Sequence, residues 1–178
     1  MKRYIALLRG INISGKNRIP MAELKKGFED LSFQNVKTYL NSGNVIFSNG
    51  EEDNQALKSI IEQMIKERFG LQIPVYVITK EKLEDILDHA PEWWGKGDKE
   101  IYDNLIFILP PATFSEVYER IGEPKETIPK LGFKTISPIN LCISFRRKLQ
   151  VLWFIFIAYL TVGFKVVILL ENRTAGLF

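Results

Sequence analysis

Between Tyr4 and Ile78 the apolar residues of this chain switch repeatedly between a period of two and a period near 3.6. The order of those switches restricts the path to strand, helix, strand, strand, helix, strand. Tyr4 to Arg9 opens as a strand, and the adjacent pair Leu7-Leu8 marks it as largely buried. Leu24, Phe28 and Leu31 follow at helical spacing, and Pro20 suits the first turn of that helix because its missing N–H would be unpaired there. Val36 to Leu40 and Val45 to Phe47 read as two strands joined by Asn41-Ser42-Gly43-Asn44, whose Gly and Asn accept positive φ. Leu57, Ile60, Ile61, Met64, Ile65 and Phe69 form a second helical stripe, capped by Asp53 or Asn54 and closed by Gly70. Val75 to Ile78 is the fourth strand. A β-α-β-β-α-β order of this kind is the ferredoxin-like unit.

The second half has a weaker pattern. Thr79 is placed to cap a short helix carrying Leu83, Ile86 and Leu87, although Lys82 in place of Glu denies it a full capping box. Asn104 to Leu109 is a strand stopped by Pro110-Pro111, Thr113 caps a helix ending at Gly122, and strand-like residues return from Ile139 to Phe145. Residues 1–79 are therefore expected to form one subdomain and 80–148 a second, less regular α+β unit, with no low-complexity linker between them.

Composition excludes several classes. The 178 residues are 46% hydrophobic and 25% charged, an ordinary globular balance. The net charge of +3 does not by itself indicate a nucleic-acid binder. One cysteine, Cys142, precludes a disulfide within the chain, and with the single histidine, His89, far from it no zinc site is expected. No metal and no cofactor is implied. The apolar run at the start breaks at Arg9, too early for the core of a signal peptide, so the cytoplasm is the expected compartment. Charge is uneven: residues 1–50 hold eight basic and three acidic residues, so an anion-facing surface would lie in this first quarter.

The most suggestive motif lies there. Gly10-Ile11-Asn12-Ile13-Ser14-Gly15-Lys16-Asn17 approaches the phosphate-binding pattern G-x-x-x-x-G-K-[ST], after a strand and before a helix. Asn17 replaces the hydroxyl residue that would hold Mg²⁺, and Pro20 delays the helix, so nucleotide hydrolysis is disfavoured. Two readings remain. In one, Arg9, Gly10, Asn12, Gly15, Lys16, Asn17 and Arg18 bind an anion through cations and backbone amides, as a small phosphate-bearing ligand or a nucleic-acid phosphate would require. In the other the loop is structural, with Gly10 and Gly15 supplying unusual backbone angles and Asn12 bonding backbone. Arg9, after a buried run, needs either a carboxylate or a bound anion. Asn41, Ser42 and Asn44 are secondary candidates, although a hairpin tip and a β1–α1 loop need not share an edge. Trp93-Trp94 is a candidate stacking or interaction loop, and an enzyme using Arg9, Asn12, Lys16 and Asn44 is a further alternative.

Two ordered strings carry a family resemblance: Tyr4-Ile5-Ala6-Leu7-Leu8-Arg9-Gly10-Ile11-Asn12 with Gly15-Lys16-Asn17 and Pro20-Met21-Ala22-Glu23-Leu24, then Thr38-Tyr39-Leu40-Asn41-Ser42-Gly43-Asn44-Val45-Ile46-Phe47. Over residues 1–148 the chain resembles the domain-of-unknown-function 1697 family. The resemblance implies an α+β fold of two ferredoxin-like-related β-α-β-β-α-β subdomains, the second one irregular or truncated here. It implies no activity.

After Lys148 the composition changes. Residues 149–178 hold only three charged residues, Lys165, Glu171 and Arg173, and fourteen of the twenty residues from Val151 to Leu170 are Val, Leu, Ile or Phe. Three expectations compete for this atypical apolar tail: a shifted reading frame, a membrane-anchoring helix over 151–170, or a pair of buried strands turning near Gly163. A membrane partner is expected only under the second.

Overall fold

The computed structural model describes residues 1–12, 15–39, 43–51, 53–90, 92, 101–108, 112–113, 115–116, 119, 132–137, 140–146 and 166–169. The chain divides into two compact units, Met1–Asp85 and Ile86–Phe178.

The first unit follows the expected order: β1 (Lys2–Leu8), α1 (Met21–Asp30), β2 (Gln34–Tyr39), β3 (Asn44–Asn49), α2 (Asn54–Phe69) and β4 (Val75–Thr79), with α3 (Lys80–Asp88) crossing the boundary between units. Its four strands form one antiparallel sheet in the order β2-β3-β1-β4. Alternation along β1 sends Tyr4, Ala6 and Leu8 into a core shared with Leu24 and Phe28 of α1 and Leu57, Ile61 and Ile65 of α2, so both helices cover one face. Ile5 and Leu7, on the other face, are buried as well, which accounts for the unbroken apolar run in the sequence. Each fully buried side chain of this size contributes about 1.5–3 kcal/mol. Phe47 sits at the centre of an aromatic cluster, stacked on Phe33 at 4.6 Å and on Tyr4 at 5.5 Å and meeting Phe28 edge-on at 5.5 Å. Tyr4 keeps its hydroxyl satisfied by donating to the Glu51 carbonyl at 2.5 Å.

The helix boundaries follow from local chemistry. Asp53, rather than Asn54, caps α2 by accepting from the Gln55 amide at 2.8 Å, and Gly70 ends it at φ +68°. Thr79 caps α3 through the Lys82 amide at 3.2 Å. Pro20 occupies the cap position of α1 rather than its first turn: its ψ of 127° is extended, so helical geometry begins one residue later. Arg68 of α2 reaches Asp30 at 2.6 Å and Glu23 at 3.1 Å, tying the two helices together at the surface. Those carboxylates raise its pKa, the Asp30 hydrogen bond foremost.

The second unit holds β5 (Ile101–Ile108), β6 (Gly132–Ser137), β7 (Asn140–Arg146) and β8 (Val166–Leu169) in an antiparallel sheet of order β6-β7-β5-β8. This is the strand permutation of the first sheet, with β5 in the place of β1. Leu105 to Ile108 are buried on both faces. Thr113 and Glu116 exchange capping-box hydrogen bonds, at 2.8 Å and 3.3 Å, where the sequence places a helix start; the rest of that helix lies outside the described residues.

One expectation changes here. The second sheet has a fourth strand. That strand, β8, comes from the apolar tail and pairs Val166 to Leu169 with Ile108 to Leu105. These residues therefore do not continue a membrane-crossing helix over 151–170, and no helix among the described residues is long and apolar enough to cross a membrane. A short apolar run fits a buried strand as well as a helix, and only pairing with β5 decides between them. The remainder of 149–178, where the frame and strand-turn alternatives fall, lies outside the described residues.

Candidate functional site

The β1–α1 connection is built from positive-φ residues and two asparagine braces. Gly10, Asn12, Gly15 and Asn17 have φ of +68°, +55°, +78° and +48°. For Asn12 and Asn17 this left-handed conformation is tolerated because a short polar side chain can bond nearby backbone. Asn12 does so twice with one residue: its Oδ1 accepts from the Ile19 amide at 2.9 Å and its Nδ2 donates to the Ile19 carbonyl at 3.0 Å. Its own amide donates to the Asn17 carbonyl at 3.1 Å, and Asn17 Nδ2 donates to the Gly10 carbonyl at 3.0 Å. Ile11 and Ile19, both 2% exposed, anchor the two ends of the loop in the core. Asn12 and Asn17 therefore spend their amides on shaping the loop.

The loop borders an open cleft of about 420 Å³ lined by Asn12, Gly15, Arg18, Ile19, Pro20 and Met21. Arg18 is exposed, and its Nη2 lies 3.8 Å from where a Cβ on Gly15 would stand. Pro20 provides no side-chain cap, so the first amides of α1 meet no capping side chain where Pro20 and Met21 line the cleft. Lys16 is exposed and does not line the cleft, and neither does Arg9. The sequence motif therefore separates into one cleft cation, two braces and two cations outside the cleft lining. Among the described residues Arg9 has no carboxylate partner, and burial lowers its pKa below the ordinary arginine value.

The hairpin candidates divide as well. Asn41 and Ser42 lie outside the described residues, as do Ile13, Ser14 and the Trp93-Trp94 loop. Gly43 and Asn44 are brought to the end of β1: the Leu8 amide donates to the Gly43 carbonyl at 3.1 Å, and Asn44 stands opposite Leu7 in the ladder. Gly43 and Asn44 thus share an edge with the loop after β1, because β3 is the direct neighbour of β1. Gly43 has a φ of +83°, and a Cβ there would stand 2.7 Å from Ile11 Cδ1 and 3.0 Å from Leu8 Cβ. Gly43→Ala is expected to cost about 1–3 kcal/mol, from crowding and from left-handed strain. A urea melt that leaves the midpoint of the variant at the wild-type value would contradict that packing.

No group of three or more His, Cys, Asp or Glu among the described residues is disposed to hold a metal ion. Tyr76, opposite Leu7 on β4, is a half-buried residue that sequence reasoning did not single out, and burial pushes its phenol pKa up. Its only signal was its place in an alternating strand.

A family model described as "Protein of unknown function (DUF1697)" matches residues 1–134. The chain belongs to that family. This DUF1697 chain also superposes on a conserved bacterial protein, SP0830 from Streptococcus pneumoniae, with a TM-score of 0.74 over 97% of this chain and 94% of the other. At 20% identity that likeness concerns the fold alone. Curated proteins include no match to this chain.

Proposed function

We propose that this protein binds a small anionic ligand, of the phosphate-bearing class, in the cleft beside the Gly10–Arg18 loop. One observation carries the reading: an Arg18 guanidinium without a carboxylate partner among the described residues and the uncapped N-terminus of α1 line the same cleft. Backbone amides and helix polarity favour an anion there, and a guanidinium offers it paired donors. Asn12 and Asn17 hold the backbone in shape and Gly15 keeps the wall low beside Arg18. The fold is read with it: the β-α-β-β-α-β order and the β2-β3-β1-β4 sheet support a ferredoxin-like first unit. A cytoplasmic location accompanies this reading, on the single cysteine.

The test is a titration of the full chain with inorganic phosphate, followed through the backbone amide signals of Ala22 and Glu23. Both should move and saturate in the wild type. Arg18→Ala should weaken the response at least ~10-fold, the worth of a charge-assisted hydrogen bond. Lys16→Ala, outside the cleft, should leave it nearly intact. Amides that stay still in the wild type, or respond equally in Arg18→Ala, would reject the reading.

A further inference from the structure

We propose that Arg9 and Asn44 form a second oxyanion site, on the sheet face turned away from α1 and α2, with Tyr76 flanking it. The ladder places Asn44 and Tyr76 directly opposite Leu7, one on each neighbouring strand. Arg9 follows Leu7 by two residues, and its amide still donates to the Pro74 carbonyl at 3.0 Å, so alternation carries it on the Leu7 face. Asn44 and Tyr76 are then its diagonal neighbours, at the spacing of about 7–8 Å that long side chains span.

These residues lie at one margin of that face, beyond its apolar centre. Ile5, Leu7, Ile46 and Ile78 are buried, at 1–3% exposure, while Arg9, Asn44 and Tyr76 are half-buried at its margin. Neither the Arg9 guanidinium nor the Asn44 amide has a hydrogen bond or ion pair among the described residues. No counter-charge is available from the sheet itself, since none of the four strands contains an Asp or Glu. A partly desolvated cation is costly without a partner, and the lowered pKa of Arg9 has that desolvation as its cause.

An oxyanion supplies what is missing. The guanidinium fork donates two parallel N–H bonds and the Asn44 amide adds another, which suits the oxygens of a phosphate or a carboxylate. None of the three residues lines the Arg18 cleft, so this site stands or falls separately from the one proposed above.

The deciding experiment titrates the full chain with inorganic phosphate, and in a second arm with acetate, while NMR follows the Arg9 Nε–H and Asn44 side-chain amide signals. Both signals should move together along one saturation curve. Earlier saturation by phosphate assigns a tetrahedral ligand, and earlier saturation by acetate a planar carboxylate; either supports the site. Arg9→Gln should weaken the Asn44 response at least ~10-fold, while Arg18→Ala should leave it unchanged. An Asn44 response that is equal in Arg9→Gln, that vanishes in Arg18→Ala, or that is absent with both anions would overturn the proposal. Should Arg9→Gln not fold, Arg9→Lys takes its place: it keeps the charge and loses the fork, and undiminished affinity there overturns the proposal equally.

Discussion

Phe47→Ala should remove about 3–5 kcal/mol from the stability of the first unit, the range for truncating a fully buried phenylalanine. Phe47 is 0% exposed and is shared by three aromatic neighbours, Tyr4, Phe28 and Phe33. Truncation therefore loses the transfer energy of the ring, leaves a cavity between sheet and helix, and removes aromatic pairs worth about 0.5–1.5 kcal/mol each. The neighbours cannot collapse into the space without breaking their own contacts. Domains of this size hold only about 5–15 kcal/mol in total, so the variant should be marginal or unfolded. Far-UV circular dichroism through a urea titration reads the effect. Ile60→Ala is the control, because Ile60 is 44% exposed on α2 and should change stability by no more than about 0.5 kcal/mol. Equal midpoints for the two variants would mean that the aromatic cluster is not the centre of the core.

Asn12→Ala should cost about 3–7 kcal/mol and abolish the phosphate binding proposed for the Arg18 cleft. The side chain satisfies both the amide and the carbonyl of Ile19, a residue 2% exposed to solvent. Each buried polar group left unpaired costs about 1–3 kcal/mol. Alanine at φ +55° adds strain on the order of 1 kcal/mol, which glycine avoids. Asn12→Gly should therefore be the less destabilised variant, and the difference between the two separates backbone strain from lost hydrogen bonds. Both variants release the backbone at Ile19, next to Arg18, so both should lose the Ala22 and Glu23 response to phosphate. Thermal unfolding of Asn12→Ala at the wild-type temperature would show that the brace contributes nothing.

Much of the first unit is legible in the sequence. Alternation in Tyr4 to Leu8 and the helical stripe from Leu57 to Phe69 are local patterns, and so are the caps at Asp53, Thr79 and Gly70. The second unit is less so. Gly132 to Ser137 gives little strand signal, because a six-residue segment with a lysine at its centre alternates too briefly to stand out. Val166 to Leu169 sat inside a longer apolar stretch whose period did not distinguish helix from strand. Within the candidate loop the structure separates residues that the sequence groups together. Residue types alone made Arg9, Asn12, Lys16, Asn17 and Arg18 one anion-binding set. Hydrogen bonding instead commits Asn12 and Asn17 to the backbone, and Lys16 falls outside the cleft.

What the sequence determined alone is what depends on neighbours within a turn or two: where elements start and stop, which face of each is apolar, and that positive charge gathers in the first quarter. Tertiary structure decided what depends on residues far apart in the chain. Pairing of β1 with both β3 and β4 sets Asn44 and Tyr76 opposite Leu7 and presses Gly43 against Ile11. Local periodicity carries no information about which strands become neighbours. That choice is made when separate apolar faces are buried together, and the polar surroundings of each charge follow from it.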